Sequence, residues 1–205
     1  MSAKVRTTPR KRPRQRRSQA TVDAILEATA QVLVADGYDK TSTNRVAKRA
    51  GVSIGSLYQY FPNKEALVGE LVDRYSNRVM ALILAELTQH SDAPPSVTAP
   101  VLVQAMIAQK RENPELARVL RDQIPRVGRM QHYETNLATI IEAVASYLAA
   151  HRDALRIDDV EAAAFVTVQT VDAATHAGVV GMPGAVDDER LAAHVTDLLL
   201  SYLVG

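Results

Sequence analysis

Apolar residues recur at three- and four-residue steps through most of the chain, the period of helices half-buried on one face. From Ser18 to Asp36 one stripe holds Val22, Ile25, Leu26, Thr29, Val32 and Leu33. Gly37 is expected to end that helix, with Tyr38 joining a small core. Thr41 to Lys64 reads as two short helices joined by a four-residue turn. Thr41, Ser42 and Thr43 offer capping hydroxyls to the first. Its Val46, Ala47 and Ala50 share one face; Asn44, Arg45, Lys48 and Arg49 share the other. Gly51 stands where a left-handed residue ends a helix, Val52 plugs the turn, and Ser53 caps the second helix. There Leu57 and Phe61, four apart, point to the core. Pro62 stops the helix and Asn63 caps the next.

That next helix is expected from Asn63 to about His90, striped by Leu67, Leu71, Val72, Tyr75, Val79, Leu82 and Leu87. A tilt at its far end would move the two short helices; a plain scaffold would do nothing of the kind. Ser91 to Pro100 reads as a loop and Val101 to Glu112 as a helix. Asn113 and Pro114 cap a short helix over Glu115 to Arg121, and Ile124-Pro125 breaks the pattern. A longer helix to about His151 carries Met130, Leu137, Ile140, Ile141, Val144, Tyr147 and Leu148 as its stripe. Asp158 and Asp159 start another, running to about Val180, and Gly181 to Gly184 turn the chain. Asp187, Asp188 and Glu189 open the last helix, with Leu191, Val195, Leu198, Leu199, Tyr202 and Leu203. Two closing helices this apolar need a partner surface, or else finish the monomer core.

The expected class is all-α: alanine is abundant, aromatics are 4%, and β-branched runs are short. Cysteine is absent, which excludes disulfides, thiolate metal sites and cysteine nucleophiles. Net charge is only +1, but its distribution is uneven. Residues 1–17 hold eight basic side chains and no acid, residues 18–64 five basic and four acidic, which leaves eleven basic against nineteen acidic in the remainder. That is the footprint of a nucleic-acid-binding head on an acidic body. Residues 1–17, broken by prolines, form a basic arm expected to be disordered in isolation. It either follows phosphates or a minor groove, or only solubilises the chain. No run approaches ~18 apolar residues, so nothing is expected to span a membrane. Asp23, Glu27 and Asp36 interrupt what would have to be a signal peptide, so the expected location is cytoplasmic.

The surface left on the second short helix is Ile54, Gly55, Ser56, Tyr58, Gln59 and Tyr60. A helix that enters a major groove needs an apolar stripe for anchorage and small or polar residues for close approach. Ile54-Gly55-Ser56 has that character, and the hydroxyls of Tyr58 and Tyr60 suit phosphate oxygens. Lys64 begins the following helix, where cation and helix N-terminus can face one phosphate. On pattern alone the alternative is a helical hairpin with half-buried tyrosines.

The stretch TSTNRVAKRAGVSIGSLYQYFPNKEAL resembles the N-terminal signature of the TetR (tetracycline repressor) family of transcriptional regulators, from Ala20 to about Leu71. The resemblance implies a three-helix helix-turn-helix head over residues 18–64 and a helical ligand-binding and dimerisation body over 65–205. It places Thr43, Tyr58, Tyr60 and Lys64 where family members usually touch phosphates. Asn44, Ile54, Gly55, Ser56 and Gln59 match positions that often face bases. The family's dimer interface is a four-helix bundle, here two C-terminal helices from each subunit of a homodimer.

In the body, Asp172 and His176 are four apart with Gln169 one turn earlier, a pair that binds a metal or polar ligand group or forms a structural hydrogen bond. Met106, Arg118, Gln123 and Tyr133 lie on helices the family uses to wall its cavity. The five histidines are scattered and no nucleophile elbow, phosphate loop or dinucleotide turn occurs, so no catalytic residue, metal site or cofactor is expected, and no enzyme. The expected function is a homodimeric repressor that binds a near-palindrome in double-stranded DNA and responds to a small, largely apolar effector. A regulator without such an effector, or an activator, is the alternative.

Overall fold

A computed structural model describes residues 7–10 and 15–204. Among these there is no strand; the chain is all-α. The helices are α1 (Arg16–Lys40), α2 (Thr43–Ala50), α3 (Ile54–Tyr60), α4 (Lys64–Gln89), α5 (Pro95–Glu112), α6 (Pro114–Gln123), α7 (Met130–Ala150), α8 (Val160–His176) and α9 (Asp188–Leu203). The expected disorder of the arm falls, for residues 1–6 and 11–14, outside the described residues.

Two compact units form. One takes the chain up to Tyr75 together with Glu115–Tyr133; the other takes Ser76–Pro114 and everything from Glu134. In the first, Val22, Ile25, Leu26 and Leu33 of α1 close over Val46 and Ala47 of α2, Leu57 of α3 and Leu67 of α4. The expected stripe of α1 is buried throughout, and Gly37 (φ 76°, ψ 170°) interrupts the helix as anticipated. The helix starts two residues earlier than expected, at Arg16, with Gln15 at its cap.

In the second unit α5 packs on α8 and α9. Val103, Met106 and Ile107 face Val168, Val171, Val195 and Leu199 as buried core. Asp159 and Asp187 cap α8 and α9 by accepting from the amides of Ala162 and Arg190. The chain following α8 widens into a π-turn over Ala177–Gly181. There Gly178 lets Leu191 approach so closely that a Cβ would lie 2.6 Å from its Cδ2.

Two expectations need correction. The loop assigned to residues 91–100 is shorter, because α5 already begins at Pro95. Proline at the first helical position loses no hydrogen bond. Pro100 inside the helix removes only the donor that would meet the carbonyl of Ser96, an exposed residue. Met130, assigned to the apolar stripe of α7, is instead 44% exposed. It is the first residue of that helix, while Ile140, Val144 and Leu148 further on are buried.

Candidate nucleic-acid interface

The short helices are held by caps and by two side chains. Ser42 accepts from the Arg45 amide at 3.4 Å, and Ser53 from the Ser56 amide at 3.0 Å. Gly51 (φ 66°) ends α2 in the left-handed conformation, its amide and that of Val52 returning to the carbonyls of Lys48 and Ala47. α3 has seven residues, too few to be stable alone in water. Leu57 and Phe61, 0% and 1% exposed, supply what the helix lacks, about 2 kcal/mol each by burial.

With that face buried, the opposite one is presented to solvent. Ile54, Gly55, Tyr58 and Gln59 are exposed, Ser56 and Tyr60 half-buried. The hydroxyl of Tyr58 lies 3.1 Å from Thr43 Oγ1, so two of the expected phosphate contacts already hold each other. Ser56 Oγ is 2.8 Å from Ser53 Oγ, tying that hydroxyl to the cap. Asn44 stands exposed on α2. A Cβ added at Gly55 would meet only Ser53 Oγ, at 3.9 Å, so nothing in the fold requires glycine there.

Lys64 is not a free cation. Its Nζ donates to the Tyr38 carbonyl at 3.2 Å and the Asp39 carbonyl at 3.5 Å, and lies 4.5 Å above the Tyr38 ring. Arg126 covers the same ring at 4.5 Å and pairs with Asp39 at 2.9 Å. Burial, then the Glu65 carboxylate, push the Tyr38 phenol above its usual value, while Arg126 pulls it back. Among the other cations of this surface, Arg45 pairs with Asp36 at 3.0 Å and Arg49 donates to Gln31 Oε1 at 2.6 Å. Lys48 is exposed.

The residues expected to wall a ligand site are divided. Arg118, Gln123 and Tyr133 belong to the first unit, Met106, Gln169, Asp172 and His176 to the second. Arg118 is exposed on α6 and pairs with Glu115 at 2.8 Å. Gln123 and Met106 are buried. Asp172 is engaged by a residue the sequence reading missed: Lys110 Nζ lies 2.8 Å from its Oδ1 and 3.0 Å from Thr175 Oγ1. Lys110 and Asp172 stand 62 residues apart, and no periodicity announces such a pair.

Comparison with known proteins decides the family. Residues 25–71 match the model described as bacterial regulatory proteins, tetR family, and residues 94–203 match the tetracyclin repressor-like C-terminal domain. The chain belongs to the TetR family. It is a DNA-binding transcriptional regulator. An HTH-type transcriptional repressor of Mycobacterium tuberculosis strain H37Rv is 31% identical over 144 residues, 70% of this chain and 68% of that one. The fold is shared with the fatty acid degradation regulator FadR of Bacillus halodurans, at TM-score 0.73 and 22% identity over 93% of this chain and 97% of that one. It is shared too with SmeT in its triclosan complex, at TM-score 0.70 and 22% identity over 91% and 93%. No helix among the described residues is long and apolar enough to cross a membrane.

Proposed function

We propose that this TetR-family regulator is a homodimeric repressor that reads a near-palindromic operator with α3. The observation that carries this is the division of α3 into a locked face, Leu57 and Phe61, and an open one. Ile54, Gly55, Ser56 and Gln59, with Asn44 of α2, face bases; Thr43, Tyr58, Tyr60 and Lys64 face phosphates. Two such helices engage successive major grooves about 34 Å apart. The dimer forms through α8 and α9, which leave Phe165, Val166 and Leu198 exposed at 52%, 41% and 57%. Such side chains on adjoining helices favour a partner surface.

A small, largely apolar effector in the body relieves repression. The SmeT structure with triclosan supports this reading, as do the buried Met106 and the polar group of Lys110, Asp172 and Thr175. Gln169 and His176 are the further candidates on α8. The effector acts by its difference in affinity for the operator-competent and incompetent states. Because α4 runs unbroken from Lys64 to Gln89, it supplies a covalent route between α3 and the body.

The test is selection of the purified protein against a random duplex library at near-physiological salt. Enrichment of an inverted repeat is expected. Retention of duplex without sequence enrichment would overturn the operator reading.

A further inference from the structure

We propose that Arg129 anchors the N-terminal arm and that the arm so held places Arg10 beside the reading helix as a phosphate contact. The proposal rests on the DNA-reading role given above to α3.

Arg129 stands just ahead of α7 and is 7% exposed. Its Nε donates to Asp73 Oδ2 on α4 at 2.8 Å, its Nη1 to Thr7 Oγ1 at 3.0 Å, and its Nη2 to the Thr7 carbonyl. A guanidinium is always charged and carries donors on all three nitrogens. Two of those nitrogens are met here by a residue 122 positions away, in a segment that composition alone would leave unstructured. α4 makes room for this approach. A Cβ at Gly69 would lie 2.8 Å from Arg129 Nη2 and 3.0 Å from the Thr7 carbonyl oxygen, so the arm lies where α4 carries no side chain.

Three residues on, the backbone amide of Arg10 donates to the carbonyl of Tyr60 at 2.6 Å. Tyr60 is the last residue of α3, and its carbonyl is among those a helix end leaves without an intrahelical donor. Thr7 and Arg10 are therefore two fixed points, one on the Arg129 guanidinium and one on the end of the reading helix. The Arg10 side chain is exposed, and its backbone is bonded to the end of the helix that exposes Tyr58 and Gln59. A planar guanidinium suits two phosphate oxygens at once. Because Thr7 and Arg10 are held before DNA arrives, binding need not order them again. Arg129 is thus a positioning residue, and Arg10 the group that touches the partner.

The test is a double-mutant cycle in the full chain, read as the slope of log affinity against log salt on a fluorescein-labelled duplex of random sequence. Arg10→Ala is expected to reduce the slope by about 0.9, one phosphate. Arg129→Met is expected to reduce it by the same amount, and the double variant by no more than either. An unchanged slope in Arg10→Ala, or additive losses, would overturn the proposal. Failure of the wild-type chain to bind any duplex would instead sink the DNA reading on which it rests. Should Arg129→Met not fold, amide exchange of the free wild-type protein decides. The Arg10 amide is expected to be protected, and exchange at the rate of an unstructured residue would refute the anchor.

Discussion

The ion pair in the second unit makes an asymmetric prediction. Lys110 keeps 4% of its side-chain surface and Asp172 keeps 29%. Replacing Asp172 by Asn removes the carboxylate 2.8 Å from an ammonium that water scarcely reaches. The Thr175 hydroxyl, 3.0 Å from Nζ, remains as an acceptor but carries no charge. Breaking a buried pair from one side costs about 3–5 kcal/mol. With Thr175 retained, the lower end applies, about 3 kcal/mol. Replacing Lys110 by Met removes the opposite partner. The carboxylate left behind is nearly a third exposed and can be hydrated, and the thioether suits the apolar slot. That change is expected to cost about 1 kcal/mol.

Thermal unfolding followed by far-UV circular dichroism at one fixed protein concentration separates the two, since any self-association would make Tm concentration-dependent. For a chain of this size 1 kcal/mol moves Tm by about 2–4 °C. Asp172→Asn is therefore expected to lose about 6–12 °C and Lys110→Met about 2–4 °C. A larger loss in Lys110→Met, or none in Asp172→Asn, would refute the argument from unequal burial.

Three further outcomes are expected. Lys64→Ala should weaken duplex binding on all sequences, lower the salt slope by about 0.9 and cost about 1 kcal/mol, since Nζ holds two carbonyls and the Tyr38 ring, whereas Tyr58→Phe removes a neutral hydroxyl and should weaken binding on all sequences with little change in slope or Tm. A changed sequence preference in either, measured on a duplex library, would assign them to bases instead. Gly55→Ala should raise stability by about 0.5 kcal/mol yet weaken operator binding, a combination read by melting and by fluorescence anisotropy. Burial raises the Tyr147 phenol above 10.0, with the Thr98 hydrogen bond opposing, so its contribution to stability is complete below the unfolded pKa and lost as pH rises through the higher folded value. Tyr147→Phe should abolish that alkaline loss in pH-dependent melts, at a cost of about 1 kcal/mol at neutral pH, because the hydroxyl lies 2.6 Å from the Ala93 carbonyl.

What was legible in the sequence was local. Ser42, Ser53, Asn63, Asp159 and Asp187 each cap the helix that follows within three residues, and Gly51 ends α2 by its own backbone geometry. Leu57 and Phe61 declare the buried face of α3 by a four-residue step. The start of α5 was missed because a Pro-rich stretch is read as a breaker, although Pro95 sits where its missing donor costs nothing. Nothing local brings Lys110 to Asp172 or Thr7 to Arg129. The first pair depends on which helices pack together and the second joins two segments outside the helices, and amphipathic periodicity records how much of a helix is buried without recording against what.

Three glycines separate what the fold demands from what the partner demands. At Gly69 a Cβ would come within 2.8 Å of Arg129 Nη2 and 3.0 Å of the Thr7 carbonyl oxygen, and at Gly178 within 2.6 Å of Leu191 Cδ2, so each position is crowded by its own molecule. At Gly55 the space is open and the backbone is helical, so alanine would satisfy the free protein better than glycine does. A residue that costs stability where nothing crowds it points to something absent from the free chain. On a solvent-facing helix that something is a surface approaching the backbone more closely than a methyl group allows. A major-groove edge fits that description, and Gly55 is exposed on the same short helix as Ile54, Tyr58 and Gln59. If Gly55→Ala bound its operator as well as the wild type, the backbone would not be in close contact, and α3 would have to read DNA by its side chains alone.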